Sequence, residues 1–454
     1  MSITKYKSDH LFLLIGENPL PNYVAAKLLA KGRDGAKPTL YLVFSEGSRG
    51  TKAYAKQLKE VLGEDAFSYE DVKIVDPSSA RSIREAIAEK FPESGGVGLH
   101  YTGGTKAMAV HAYNEIEDLA AEKNLTAYFS YLDARNLLLR FDKGDEFKLS
   151  NPNDTEDGAL FQQAAISLQD LLRLHGLKPR QRSTPNPHSQ VFMPEVVEAL
   201  FCECVNNSEW REWLRHGLKE EMKRRRPKDK NGKPIESRLN ETEQQEYQEA
   251  LCAKLISFTY AVKRGRDWEE VRFCLGPKLH AALAAATLLT AAGELNLASL
   301  SAPGAEYFCE WLAGKWFEDF VLSKILLVKD ECGLDECGVS LETVRETEND
   351  EADPFFEIDV VARRGYQLFA LSCTLDSRVK ECKHKLFEIV LRARQLGGGE
   401  ARIGLVCLAF NAPKYKNLNA LKAQLKDDHI EVFGNHNGNL ESLETDLRSW
   451  FNKR

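Results

Sequence analysis

The chain has 454 residues, 43% hydrophobic and 28% charged, the make-up of a soluble protein with room for two or three domain cores. Its net charge of −7 excludes a protein that coats nucleic acid by bulk charge, but leaves room for a local basic groove. The ten cysteines are scattered; the close pairs Cys202/Cys204 and Cys332/Cys337 lack CxxC spacing, which excludes a zinc module and fits free thiols in a reducing compartment.

The N-terminal "MSITKYKSDH" is polar and has no signal pattern. No apolar run approaches the ~20 residues of a membrane span, so a cytoplasmic protein without a membrane partner is expected. Residues 1–150 then alternate between two periods. "LFLLI", "TLYLVFS", "DVKIV", "GVGLHYT" and "TAYFSYL" have strand length, and "NYVAAKLLAK", "TKAYAKQLKEVL", "ARSIREAIAEKF" and "TKAMAVHAYNEIEDLAAEK" between them have helical period. This alternation predicts an α/β fold, a Rossmann-like parallel sheet with helices on both faces. "NLLLRFD" follows after a short turn and predicts an antiparallel edge hairpin.

Residues 151–304 read as a mainly helical connector. Within it "KEEMKRRRPKDKNGKPIES" (219–237) is basic and broken by Pro and Gly, which suits an exposed loop or a nucleic-acid-binding arm. Alternation returns over 305–454, a module of ordinary domain size. A long helix, "GAEYFCEWLAGKWFEDFVLSKILLV", precedes the hairpin "FEIDVVARRGYQLFALSCT". The basic helix "KECKHKLFEIVLRARQLGG", the strand "ARIGLVCLAF" and a helix after "NAPKYKN" follow.

Two segments carry chemistry. In the first, "YTGGTKAM" sets Thr102, Gly103, Gly104, Thr105 and Lys106 between a strand and a helix. Bare glycine backbone, a helix N-terminus and a lysine suit an anion, although neither GxGxxG nor a Walker loop is present. A solvated glycine turn is the plainer alternative. Ligands of open α/β sheets bind beyond the carboxyl ends of the strands, where Asn18 and Ser45 would join the loop. The neighbouring histidines His100 and His111 read as packing or surface residues.

The order of "SEG", "YTGGTKAM" and "SYLDAR" resembles the CRISPR-associated Rossmann-fold (CARF) domain of type III CRISPR ancillary effectors, over roughly residues 8–145. The resemblance implies a homodimer that binds one cyclic oligoadenylate across its two-fold axis, usually cyclic tetra-adenylate. The contacts it implies are Asn18, Ser45, Glu46, Gly47, Thr102, Gly103, Gly104, Thr105, Lys106 and Met108. Slow degradation of the messenger by this domain is a further possibility.

In the second segment, Glu357 and Asp359 lie two apart and share one strand face. Their carboxylates would offer hard oxygen ligands to a divalent ion such as Mg²⁺ or Mn²⁺. The module resembles the PD-(D/E)xK restriction-endonuclease-like nucleases. That resemblance implies a nuclease cutting DNA and/or RNA, with Glu318 and Asp359 on the metal and Glu357 beside them. The family's (D/E)xK element is absent, because Ser372, Cys373 and Thr374 stand in its place. Three readings remain open. A lysine from the next helix (Lys380, Lys383 or, preferred, Lys385) completes the site. Or the domain is an inactive, messenger-gated binder of nucleic acid or protein. Or the acids belong to a structural hairpin. Cys373 reads as a small core residue.

Overall fold

The computed structural model describes residues 2–453 except 34, 48–49, 150–156, 181–188, 231, 236–238, 254, 265–266, 349–353, 376–377, 409–422, 424 and 435–439. The N-terminal apolar runs form β1 (His10–Leu14), β2 (Thr39–Ser45), β3 (Ser68–Ile74), β4 (Val97–His100) and β5 (Ala127–Asp133). The periodic segments between them form α1 (Leu20–Leu29), α2 (Lys52–Leu62), α3 (Ala80–Lys90) and α4 (Lys106–Glu122). β6 (Leu138–Phe141) and β7 (Glu146–Lys148) add an antiparallel edge. The sheet order is β3-β2-β1-β4-β5-β6-β7, with β1–β5 parallel. β1, β2 and β4 are buried along nearly their whole length, as strands covered by helices on both faces must be. Chain order reverses between β1 and β4, so two strand-end loops part there and leave a crevice.

The connector is less uniform than its sequence suggests. α5 (Asp157–Gln163) and α6 (Leu168–Arg173) lead to β8 (Leu177–Pro179). β8 pairs with β11 as the edge of the C-terminal sheet, so a boundary at 304 divides that sheet from one of its own strands. α7 (Pro194–Asn206), α8 (Ser208–Trp213), α9 (Lys219–Arg225), α10 (Glu241–Ala253) and α11 (Pro277–Ala285) surround the hairpin of β9 (Thr259–Arg264) and β10 (Asp267–Arg272). The basic segment expected as a loop therefore starts as a helix. Arg225 pins it by an ion pair to Glu221 and by hydrogen bonds to the carbonyls of Ala250 and Leu251.

The expected long helix is two helices, α12 (Ala302–Glu310) and α13 (Trp316–Val328), separated by a wide π-type turn over Trp311–Lys315. β11 (Glu336–Arg345), β12 (Phe356–Arg364), β13 (Gln367–Thr374), α14 (Val379–Gly397), β14 (Arg402–Cys407), β15 (Ile430–Phe433) and a last helix, Leu443–Asn452, complete the module. The helix expected directly after "NAPKYKN" falls largely outside the described residues. The sheet order is β15-β14-β13-β12-β11-β8, antiparallel from β8 to β13 and parallel from β13 to β15.

The two faces of this sheet join different cores. Ile358, Leu368, Ala370 and Ile403 pack with α14 and with Leu20, Tyr23 and Val24 of the N-terminal domain. Val360, Phe369, Leu371 and Val406 pack with α13, the last helix and the middle helices. One apolar core thus runs from the first sheet to the second, with α14 inside it.

Candidate functional site

The first candidate site lies at the β1/β4 switch point. A Cβ on Gly103 would sit 2.1 Å from the Leu14 carbonyl oxygen, and one on Gly16 would sit 3.2 Å from the Gly104 nitrogen. The two loops therefore meet backbone to backbone, and Gly104 turns between them at φ +73°. Thr105 caps α4 by accepting from the Met108 N–H at 3.1 Å, and it donates to the Pro77 carbonyl at 3.3 Å. Thr102 accepts from the Leu132 N–H at 2.7 Å and ties the loop to the end of β5. These hydroxyls brace the loop.

What faces outward is glycine backbone, the exposed Thr102 and Thr105, the exposed Lys106 at the start of α4, and exposed Glu46 and Gly47 after β2. Two expected contact residues turn inward. Met108 is 1% exposed and packs beneath Gly104, and Ser45 is buried, its N–H donating to Thr51. His100 is fully buried against Ser130, and burial lowers its pKa to about 3, so it is a neutral packing residue. Asn18 accepts from the Leu20 N–H at 3.0 Å, and its amide faces the C-terminal module at Gly398.

The second candidate site is a carboxylate cluster. Glu318, Glu357 and Asp359 each place an oxygen within 4.8 Å of the others; among the described residues no other such group occurs. Glu357 and Asp359 share a face of β12, and Glu318 enters from the first turn of α13. Its neighbour Asp319 holds that turn by accepting from the Trp311 indole at 2.6 Å and the Phe192 N–H at 3.2 Å. Ser340 of β11 donates to Glu318 at 2.6 Å and sits at φ +48°, a left-handed conformation that costs a serine roughly 1–2 kcal/mol. Burial first, and the Asp359 charge second, raise the Glu318 pKa well above the usual carboxylate range.

Three donors meet at one oxygen of Asp359: the Lys385 ammonium at 2.8 Å, the Ser372 hydroxyl at 2.8 Å and the Cys373 N–H at 2.7 Å. Lys385 comes from the second turn of α14, and no such contact to the cluster is seen for Lys380 or Lys383. Burial alone would lower the Lys385 pKa, but the Asp359 charge and hydrogen bond outweigh it and keep the ammonium charged. The cluster thus has a lysine although the strand lacks one. Ser372, in the place of the missing acid, orients Asp359. Burial pushes the Cys373 thiol well above its ordinary pKa, which leaves it neutral and unsuited to nucleophilic attack. Beside the cluster opens a cleft of about 900 Å³ whose lining includes Lys219, Lys223 and Arg226 of the basic segment.

Sequence reasoning missed Ser340, the bracing role of Asp319 beside Glu318, and the "GGGE" at the end of α14. A Cβ on Gly398, at φ +64°, would sit 2.4 Å from the Asn18 amide, and one on Gly399 would sit 3.0 Å from Ala134. Glu400 is 1% exposed, and burial raises its pKa to about 7. The C-terminal end of α14 is therefore seated against the strand-end loops of the first sheet, while its N-terminal part carries Lys385. The run of three glycines was the legible signal, since close backbone approach requires them.

No family model and no curated protein matches the sequence. Solved structures do match. Can2 from Sulfobacillus thermosulfidooxidans, determined in complex with cyclic tetra-adenylate, superposes with a TM-score of 0.57 at 15% identity, over 98% of this chain and 99% of that one. Protein VC1899 from Vibrio cholerae superposes with a TM-score of 0.58 at 14% identity, over 98% of both chains. Over 98% of its length the chain has the α/β fold of Can2, which bears out, for the fold, the resemblance to CARF–nuclease effectors read from "YTGGTKAM" and "FEIDVV".

Proposed function

We propose that the protein is a homodimeric, cytoplasmic effector of type III CRISPR defence, a metal-dependent nuclease switched on by cyclic oligoadenylate. The observation that carries the nuclease reading is Lys385 on Asp359, inside a cluster of three carboxylates. A catalytically dead remnant has no need of that convergence, and a purely structural hairpin would leave three partly buried acids facing one another at a cost. The donor set is all hard oxygen, and the raised Glu318 pKa marks a cluster that favours added positive charge, so the residues fit Mg²⁺ or Mn²⁺. Glu318 and Asp359 would hold the ion, with Glu357 beside them. Such an ion offsets phosphate charge and lowers the pKa of a water. Lys385 supplies a fixed positive charge where negative charge develops on a phosphodiester. Ser340 and Ser372 hold the carboxylates in place, and Lys219, Lys223 and Arg226 line the approach for DNA and/or RNA.

The glycine-backbone crevice, the α4 N-terminus and Lys106 suit the phosphates of cyclic tetra-adenylate, the ligand in the Can2 complex. Coupling between the sites runs through α14. Its 19 residues, about 28 Å long, present Lys385 toward one end and run at the other into Gly398 and Gly399, which sit against the Asn18 and Ala134 loops. A messenger that moves those loops shifts the helix carrying the lysine. The test is cleavage of single- and double-stranded DNA and RNA with Mn²⁺, with and without cyclic tetra-adenylate. Inactivity under every condition favours the gated, non-catalytic binder, and full activity in Asp359→Ala rejects the site.

A further inference from the structure

Of the six tryptophans, five are buried, at 3% exposure or less, whereas Trp268 is 69% exposed on the β9–β10 hairpin. A solvent-facing indole on a short, polar hairpin contributes nothing to the core. It stands across the ladder from Lys263, so a cation flanks it on the same face. Trp268 also lines a second cavity of about 660 Å³, which shares Lys223 and Pro234 with the cleft at the carboxylate cluster. The two cavities thus adjoin at Lys223 and Pro234, one reaching Lys385 and the other Trp268.

The walls of the Trp268 cavity differ in charge. On one side stand Lys223, Arg224 and Lys228 of α9 and its turn; Glu221 beside them is ion-paired to Arg224 and Arg225. On the hairpin side stand Glu269 and Glu270, and Glu220 of α9 also lines the cavity. A polyanion entering here is drawn to the α9 wall and repelled from the hairpin, except at the aromatic face of Trp268. A sugar-phosphate backbone against α9 turns its bases toward the hairpin. A base paired in a duplex offers no free face to an indole, whereas an unpaired one stacks.

We infer that Trp268 is a base-stacking platform, and that the middle module guides an unpaired nucleic-acid strand along α9 to the carboxylate cluster. This rests on the nuclease reading for its destination but not for its test. Because the other tryptophans are buried, quenching of intrinsic fluorescence by nucleic acid reports on Trp268. The full-length Asp359→Ala protein is titrated with oligothymidylate, and with the same strand annealed to oligoadenylate, in EDTA with cyclic tetra-adenylate present. The single strand is expected to quench part of the emission and the duplex to quench less. Trp268→Leu, an exposed substitution, removes the quench and weakens binding roughly ten-fold, the factor of one base–aromatic stack. Trp268→Phe recovers most of the affinity without the signal. Equal affinity of Trp268→Leu and parent, or no quench by the single strand, overturns the inference even if cleavage is observed. A quench that persists in a protein that never cleaves leaves the inference standing and rejects the nuclease reading instead.

Discussion

Replacing Lys385 by methionine separates the helix-borne lysine from every other basic residue near the cluster. The ammonium is 2.8 Å from Asp359, and the two side chains are 40% and 12% exposed. A surface pair contributes up to about 1 kcal/mol, and breaking a fully buried one costs about 3–5 kcal/mol; this half-buried pair falls between, at roughly 1–2 kcal/mol. Asp359 keeps the Ser372 hydroxyl and the Cys373 N–H, so its carboxylate is not stranded and the fold survives. The catalytic loss is larger. Removing one preorganised group that stabilises developing charge costs about 10²–10³ in turnover. Single-turnover cleavage with saturating Mn²⁺ and cyclic tetra-adenylate measures it. Thermal melting in parallel shows whether the variant is folded. Lys383→Met, on the same helix without the contact, is the control and keeps the parent rate. A Lys385→Met protein that cuts normally, or a comparable loss in Lys383→Met, refutes the assignment.

The other predictions concern the switch, the ligand and pH. Gly398→Ala sets a Cβ 2.4 Å from the Asn18 amide at φ +64°, so a stability loss of about 1–2 kcal/mol is expected, with weaker activation by messenger at an unchanged metal requirement. Melting and dose–response curves check both. Lys106→Glu reverses the charge at the α4 N-terminus and is expected to weaken cyclic tetra-adenylate binding more than ten-fold by calorimetry, leaving melting temperature nearly unchanged. Glu400 has a folded-state pKa raised from 4.5 to about 7, so the native state binds its proton more tightly than the unfolded chain does. Stability then falls as pH rises from about 4.5 to about 7 and levels off above, a contribution on the order of 3 kcal/mol. Glu400→Gln flattens that fall in a pH series of melting curves, and an unchanged series contradicts the assignment.

The sheets were legible in the sequence where burial on both faces writes continuous apolar runs, as in "LFLLI", "TLYLVFS" and "FEIDVV". β11 was not, because "ECGVSLETVR" mixes Gly, Ser and Glu into a strand whose polar residues have distant partners: Ser340 meets Glu318, Glu342 meets Arg180 and Glu336 meets Arg363. Nor was β8, three residues long and made a strand only by pairing with Val344 and its neighbours. The break between α12 and α13 falls at Gly314, whose backbone is non-helical (φ 177°, ψ −36°), and the Asp319–Trp311 bond, between residues eight apart, spans it. At the cluster, Glu357 and Asp359 were legible from their spacing and Glu318 from the family resemblance, whereas the preference for Lys385 over Lys380 and Lys383 needed the rotation of α14 against β13. Thr102, Ser45 and Met108 were read as ligand contacts from motif position alone. Ser45 and Met108 are buried, whereas Thr102 is exposed and its hydroxyl also accepts from the Leu132 N–H.

The central claim is that messenger binding at the first site releases phosphodiester cleavage at the second. The most direct measurement is the cleavage rate of the full-length protein in Mn²⁺ as cyclic tetra-adenylate is titrated, beside Asp359→Ala and Lys106→Glu. The expected result is a messenger-dependent rise in the parent, no cleavage in Asp359→Ala at any messenger concentration, and a curve shifted to higher messenger in Lys106→Glu. Cleavage indifferent to messenger, or equal in all three proteins, would contradict it.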